Sequence, residues 1–241
     1  MRVSAKSCLL TALLALAAST PTPGCGFTPV PEPPNINPPD TTLIEGIAER
    51  GDLHVLLEGS AGAVEPGLVL WAVNLDSTEP PVTAVSEEDG SFSLTVAGTV
   101  EDELRLQVRS DEARSEPVDV VVEETGELHR SARMECLRLA PPFDLDFETL
   151  AVDGRATLDV AISNDCTDEV IIDAARIRVE PSDYSVETAM PLSITAGGTA
   201  EIDVRLAPTA PGLIEELLLL GISAPEIERR PITLIGEGSD S

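Results

Sequence analysis

The residues of this chain best suited to chemistry are four cysteines and two histidines. His54 and His129 stand 75 positions apart, and neither has a second metal ligand at the spacing of a zinc site. A nucleophilic serine would need a nearby general base, and neither histidine is set in a G-x-S-x-G or comparable turn. Paired carboxylates for glycoside cleavage cannot be singled out among 43 acidic residues. The sequence therefore predicts no catalytic residues and no cofactor.

Two of the cysteines, Cys136 and Cys166, form an even pair within one predicted domain. In an oxidising compartment such a pair is most simply a disulfide. Closing the 29 intervening residues would stabilise the fold by about 3–4 kcal/mol through lost chain entropy. A redox-active thiol pair is the alternative, but neither a C-x-x-C motif nor a flanking base accompanies these residues.

The first 24 residues have the pattern of an export signal. Arg2 and Lys6 precede an apolar run from Cys8 to Ala18, which is too short to span a bilayer as a stable helix. We therefore predict a signal peptide over residues 1–24 and an exported protein.

The segment Gly24-Cys25-Gly26 resembles the lipobox of bacterial lipoproteins, in which the cysteine is lipidated and becomes the new N-terminus. It departs from that pattern at Thr22-Pro23, where the family usually has Leu and a small residue. The resemblance implies lipidation of Cys25 and attachment to the membrane through the lipid. Gly26 stands where an Asp commonly signals inner-membrane retention, so the resemblance further implies an outer-membrane location. Ordinary cleavage after Ala-Leu-Ala-Ala-Ser, leaving a free thiol, is the alternative.

The charge of the chain restricts its partners. The formal net charge is -28, and without the leader 13 basic residues face 43 acidic ones, a balance of -30. Such a field repels nucleic acid and anionic lipid headgroups, so we expect neither to bind through charge. The acids are expected to lie on solvated strand faces and turns. We predict no metal site, because no D-x-[DN]-x-[DN]-G run is present, although calcium remains an alternative.

The elements that carry these residues are predicted to be strands. Residues 25–40 hold the lipidation site and a stiff spacer with six prolines among positions 27–40. Beyond the spacer, short alternating runs between turns recur every eight to twelve residues, as in a β-sandwich. In the run 156–162, Ala156, Leu158, Val160 and Ile162 share one face. The cores must be aliphatic, with single bulky anchors at Trp71, Phe92, Phe147 and Tyr184.

Residues 41–123 form the first predicted sandwich. A strand ending in Asn, a D-G-S-F-S turn and a D-x-L-x-L-x-V strand resemble the bacterial Ig-like and carboxypeptidase-regulatory-like modules of surface proteins. The matching residues are Asn74, Asp89, Gly90, Ser91, Phe92, Ser93, Asp102, Leu104 and Leu106. Residues 124–135 are polar, lack apolar periodicity and are predicted to be the interdomain linker, with His129 exposed and inert.

Residues 136–238 form the second predicted sandwich, followed by a tail at 239–241. The order of motifs here resembles the ASPM/SPD-2/Hydin-type Ig-like domain, often described as a choice-of-anchor D domain in secreted bacterial proteins. The matching residues are Leu145, Asp146, Phe147, Asn164, Gly197, Gly198, Pro208, Thr209, Pro211, Gly212, Gly236 and Gly238. Glu148 departs from the family, which usually has Gly there. The resemblance implies an interaction role, and these domains carry no common catalytic residues.

Together these features predict an all-β fold of two tandem Ig-like β-sandwiches and a non-catalytic cell-envelope lipoprotein. Its expected role is adhesion, scaffolding or protein interaction with an envelope or extracellular protein. The alternative is a secreted accessory or regulatory subunit of an extracellular or envelope enzyme.

Overall fold

The computed structural model describes residues 36–48, 53–111 and 113–240. These residues form 17 strands in four sheets and one 3-10 helix, Thr41–Leu43, in which Asp40 accepts hydrogen bonds from Thr42. No helix in the described ranges is long and apolar enough to cross a membrane. The predicted signal peptide, Cys25 and the spacer as far as residue 35 lie outside these ranges.

The N-terminal sandwich packs a three-stranded sheet on a five-stranded sheet. In spatial order the smaller sheet is β1 (Ile44–Ile47), β2 (His54–Gly59) and β5 (Phe92–Ala97). The larger sheet is β4 (Val82–Val85), β3 (Val69–Asn74), β6 (Glu103–Arg109), β7 (Val118–Val122) and β8 (Leu128–Arg130). All the pairings are antiparallel, and Phe92 lies in the aliphatic core between the sheets.

The C-terminal sandwich has a five-stranded and a four-stranded sheet. The first is β10 (Asp144–Ala151), β17 (Glu228–Ser239), β16 (Gly212–Ala224), β12 (Val170–Ile177) and β14 (Leu192–Ile194). The second is β13 (Tyr184–Val186), β15 (Thr199–Leu206), β11 (Ala156–Asn164) and β9 (Leu137–Ala140). Strands β10 and β17 pair in parallel, and the other pairings are antiparallel. The two sandwiches confirm the predicted fold class.

Side-chain alternation places the C-terminal core where the sequence predicted it. In β11, Val160 and Ile162 are buried while Thr157 and Asp159 are exposed. Phe147 and Tyr184 lie in this core with ring centroids 5.5 Å apart. The Tyr184 hydroxyl donates to the backbone oxygen of Ile214 at 3.0 Å. Burial, reinforced by nearby carboxylates, raises the pKa of Tyr184 above its ordinary value of 10.0.

Trp71 does not occupy the place expected of a core anchor. Strand β3 is buried on both faces: Leu70 and Ala72 fill the N-terminal core, whereas Trp71 and Val73 lie outside it. They contact the C-terminal sandwich instead. The described residues consequently form one compact unit, in which the five-stranded sheets of the two sandwiches face each other.

The predicted linker contains strand β8. A turn whose Gly126 has φ of 89° connects β7 to β8, and Val120 pairs with Arg130. Leu128, the one large aliphatic residue in the polar stretch 123–133, packs against the N-terminal core. The strand thus has one half-buried side chain beside a glycine turn, and its three residues are too few to show periodicity in the sequence.

The backbone conformation at two positions, one in a turn and one within a strand, bears on the motifs noted in the sequence. Gly90 has φ of 84°, and a Cβ there would lie 2.3 Å from the backbone oxygen of Val64, so only glycine fits the D-G-S-F turn. Asp89 accepts a hydrogen bond from the Ser91 N–H, which confirms the structural role expected of this turn. Glu148 has φ of 56°, at an irregularity in the β10–β17 pairing. A left-handed backbone there accounts for the glycine usual in the resembled domains.

Candidate binding site

An apolar cluster joins the two sandwiches. Trp71 and Val73 from β3, with the following Leu75, pack against Leu217 and Leu219 of β16. All five side chains are at most 7% exposed. The run Leu217–Leu220 is buried on both faces because alternate leucines fill the C-terminal core and this cluster.

Arginine–carboxylate pairs surround the apolar cluster. Arg109 reaches across to Glu215 through two hydrogen bonds of 2.6 and 3.2 Å, and its guanidinium lies 4.1 Å from the Trp71 ring centroid. Arg114 joins the same carboxylate at 2.9 Å. Because bidentate pairs fix orientation as well as distance, they hold the two facing sheets in one relative position.

Arginines of the C-terminal sandwich reach back in the same way. Arg178 donates to the backbone oxygens of Ser77 and Glu79 at 2.8 and 2.9 Å. Arg229 contacts Asp76 at 2.6 Å. Burial alone would raise the pKa of Asp76, but hydrogen bonds from Arg229 and the backbone and nearby positive charge hold it below its usual value. Several of the few basic residues in this acidic chain therefore form contacts between the two sandwiches.

A cleft of about 450 Å³ opens where the two sandwiches meet. Five arginines and one acid lie along its wall: Arg105, Arg130, Arg133, Arg138, Arg230 and Asp119. The remaining wall is largely leucine, valine, proline and phenylalanine. Guanidinium groups are thus concentrated here on an apolar background. Four of the five are paired with carboxylates, which belong to Asp119, Glu103, Asp165 and Glu228.

Two arginines deeper in the cleft, Arg105 and Arg133, are its inner arginines, and both form ion pairs within the protein. Arg105, whose side chain is 3% exposed, donates to both oxygens of Asp119 and, across the interface, to the backbone oxygen of Pro231 at 2.7 Å. Arg133 pairs with Glu103 and Asp119. Two buried atoms of the cleft residues, Arg105 Nη1 and Ser131 Oγ, have no hydrogen-bond partner among the described residues.

The outer arginines are much less constrained. Arg130 is exposed and takes part in none of the ion pairs among the described residues. Hydrogen bonds from Thr42 and, to a smaller extent, the charge of Arg130 hold the pKa of Asp40 below its usual value. Arg138 pairs with Asp165 at 2.9 Å, but the two side chains are 74% and 53% exposed. Such an exposed pair contributes about 0–1 kcal/mol, so both guanidinium groups are available to a ligand.

An open strand edge forms part of the same wall. Strand β9 is the last strand of its sheet, and three consecutive residues of it, Leu137, Arg138 and Leu139, line the cleft. The Asp165 N–H donates to the Cys136 oxygen, while the Leu137 N–H turns away from β11 to the Met134 oxygen. Since antiparallel residues alternate in direction, the N–H and C=O of Leu139 also point away from β11.

A second, more apolar groove of about 380 Å³ lies on the interface beside Trp71, Pro80, Pro81 and Leu217. Glu216 and Arg178 line it as well, and burial raises the pKa of the Glu216 carboxyl against the opposing effect of Arg178.

Among the described residues, neither the two histidines nor the two predicted disulfide cysteines line either groove. Cys136 and Cys166 form that disulfide, with Cα atoms 4.9 Å apart, and it fixes the start of β9 to the end of β11. His54 and His129 are exposed, the latter 3.5 and 3.6 Å from two glutamates. No group of three or more metal-ligating side chains occurs among the residues that the structure describes. Cys25 lies outside them.

Sequence reasoning missed the arginine cleft because its residues come from four separate segments. One signal was available in β6, where Glu103, Arg105, Gln107 and Arg109 alternate with core leucines and valine. The neighbouring strand β3 places Trp71 and Val73 beside Gln107 and Arg105 on the same face of the sheet. Large apolar residues grouped on a face that carries arginines indicate a surface that is covered by a partner.

No family model matches this chain, and no curated protein does. Among solved structures, a PapD-like domain of human CEP192 is similar at 9% identity, with a TM-score of 0.37, over 47% of this chain and 95% of that one. A protein of unknown function from Porphyromonas gingivalis matches at 12% identity and a TM-score of 0.37, over 80% and 96%. The VesB protease of Vibrio cholerae matches at 10% identity and a TM-score of 0.37, over 71% and 62%. These low scores assign no function.

Proposed function

We propose that this protein is a non-catalytic module of the bacterial cell envelope that acts in adhesion, scaffolding or protein interaction. The observation that carries the proposal is the joining of two sandwiches by a buried tryptophan–leucine cluster and arginine pairs. A rigid two-sandwich body presents strand edges and grooves in fixed geometry, which is what a docking module requires.

The proposed location is the outer membrane, with the body tethered through a lipid on Cys25. The support is the sequence of the leader and the glycine after the cysteine. Several acyl chains on one residue make a lasting anchor, at roughly 0.8 kcal/mol per buried methylene. The proline-rich spacer would then hold the sandwiches away from the bilayer.

Anchoring is tested by expressing the full chain and its Cys25→Ser variant in a Gram-negative host. We expect the wild type in the outer-membrane fraction with a diacylglyceryl adduct on Cys25, and the variant in the soluble fraction. Wild-type protein in the soluble fraction without an adduct would reject the anchor and favour a secreted subunit.

The interaction role is tested by photo-crosslinking in intact cells, with the reactive residue placed singly at Arg130, Val85, Arg155 and Ile227. Discrete adducts with another protein at one of these positions support a docking module. Absence of adducts at all four, or turnover of ester, glycoside or peptide substrates above that of heat-denatured protein, would overturn it.

A further inference from the structure

We propose that the arginine cleft binds an extended acidic segment of a partner polypeptide, which adds as a strand to the free edge of β9. This inference rests on the proposed interaction role and names the chemistry of the partner. It is carried by the meeting of an unpaired strand edge with a concentration of guanidinium groups.

The backbone of the edge is oriented for strand addition. In β9, Arg138 faces Ser163 of β11, whereas the N–H and C=O of Leu139 and the C=O of Leu137 face away from that strand. No described backbone or side-chain group bonds the Leu139 N–H. An extended peptide would complete these bonds in the manner of β-augmentation.

The side chains around the edge select the sequence of the peptide. Successive residues of a strand point to opposite faces, so an added strand presents one face to the arginines and the other to apolar wall residues such as Leu139 and Phe143. Carboxylates are the acidic groups that guanidinium binds bidentately. The preferred segment therefore alternates acidic and apolar residues.

The negative charge of the whole protein does not prevent such a complex. At physiological ionic strength the Debye length is about 8 Å, so carboxylates farther than that from a bound peptide are largely screened. The nearer ones, Asp119, Asp165 and Glu228, are already paired with arginines of the cleft. Within the cleft, Arg130 and Arg138 present exposed guanidinium groups to the peptide. The inner arginines form the deeper wall, where Arg105 Nη1 and Ser131 Oγ have no hydrogen-bond partner among the described residues.

The size of the cleft favours a peptide over a small anion. A volume of about 450 Å³ falls within the range of sites that enclose ligands much larger than phosphate. Inorganic phosphate could use the arginines but neither the apolar wall nor the strand edge, so it serves as the competing probe.

The test uses the oxidised chain from residue 26, which omits the lipidation site, and a fluorescein-labelled heptapeptide, Glu-Val-Glu-Val-Glu-Val-Glu, measured by fluorescence anisotropy. We expect saturable binding with Kd below about 100 μM and none with the lysine–valine analogue. The double variant R130E/R138E should weaken binding at least tenfold. The matched variant R155E, an exposed arginine outside the cleft, should change it less than twofold.

Strand addition is separated from charge alone by methylating the peptide nitrogens. Methylation of either the three valines or the two internal glutamates should abolish binding, and methylation of the other set should leave it nearly unchanged, because only alternate N–H groups face β9. Equal effects of the two sets, or equally tight binding of inorganic phosphate or free glutamate, would overturn the proposal. So would binding unaffected by R130E/R138E. The two proposals can fail separately. If the peptide does not bind but crosslinks form at Val85 or Ile227, the cleft proposal fails and the interaction role stands.

Discussion

Truncation of Trp71 should destabilise both sandwiches, although the residue belongs to one of them. Its ring is 7% exposed, packs in the inter-sandwich cluster and lies 4.1 Å from the Arg109 guanidinium. Buried Trp→Ala changes cost about 3–5 kcal/mol, and the adjoining groove lets water enter, which places the expected loss near the lower value. The cation–π contact adds about 0.5–2 kcal/mol. We therefore expect Trp71→Ala to lower the free energy of unfolding by about 3.5–5 kcal/mol.

The measurement is urea denaturation followed by circular dichroism, with native-state hydrogen exchange to assign the loss to each sandwich. Core amides of Leu106 in β6 and of Leu234 in β17 should lose protection together, because the cluster couples their sheets. Ile227→Ala is the control: that side chain is 91% exposed, so its truncation should cost less than about 0.5 kcal/mol. A loss below 1 kcal/mol for Trp71→Ala, or a loss confined to the N-terminal sandwich, would refute the reasoning.

Three further predictions concern the C-terminal sandwich. Because Tyr184 has a raised pKa when folded, its contribution is complete below pH 10 and stability should fall above that by about 1.4 kcal/mol per pH unit. Urea denaturation between pH 9 and 11 should show this fall in the wild type and not in Tyr184→Phe, and a matching fall in the variant would contradict the assignment. Replacing Cys136 and Cys166 together by serine should cost about 3–4 kcal/mol from the 30-residue separation, and a melting temperature unchanged by the double substitution would be inconsistent with the disulfide. Glu148→Gly should stabilise by about 0.5–1 kcal/mol by relieving the left-handed backbone, whereas Thr149→Gly in the same strand should destabilise; the opposite order in thermal melts would reject this account.

The sandwiches could be predicted from the sequence because their pattern is local. Alternation in β11 placed Val160 and Ile162 in the core, and the turn at Gly90 placed Phe92 there. The disulfide was predictable for the same reason, since two cysteines flanking adjacent strands in one domain have few other partners.

The face-to-face packing of the sandwiches could not be predicted, because period-2 alternation assigns only one buried face to a strand. Trp71 was consistent with a core anchor by size, and nothing local distinguished the two faces of β3. The run of four leucines from Leu217 was the clearest hint, since it is apolar at both parities. Arg105 and Pro231 meet across the interface 126 positions apart, a distance that no sequence window spans.

The cleft exists only where the two sandwiches pack together, so peptide binding in it requires that their relative position stays fixed. Its wall takes Arg105 and Arg130 from one sandwich and Arg138 and Arg230 from the other. If the sandwiches moved independently, these four guanidinium groups would not form one site.

The most direct test is therefore backbone ¹⁵N relaxation of the chain from residue 26 onward in solution. The account predicts one rotational correlation time and one diffusion tensor for amides of β3, β6 and β7 and of β11, β16 and β17. Separate correlation times for the two sets, each typical of a domain of about 100 residues, would contradict it.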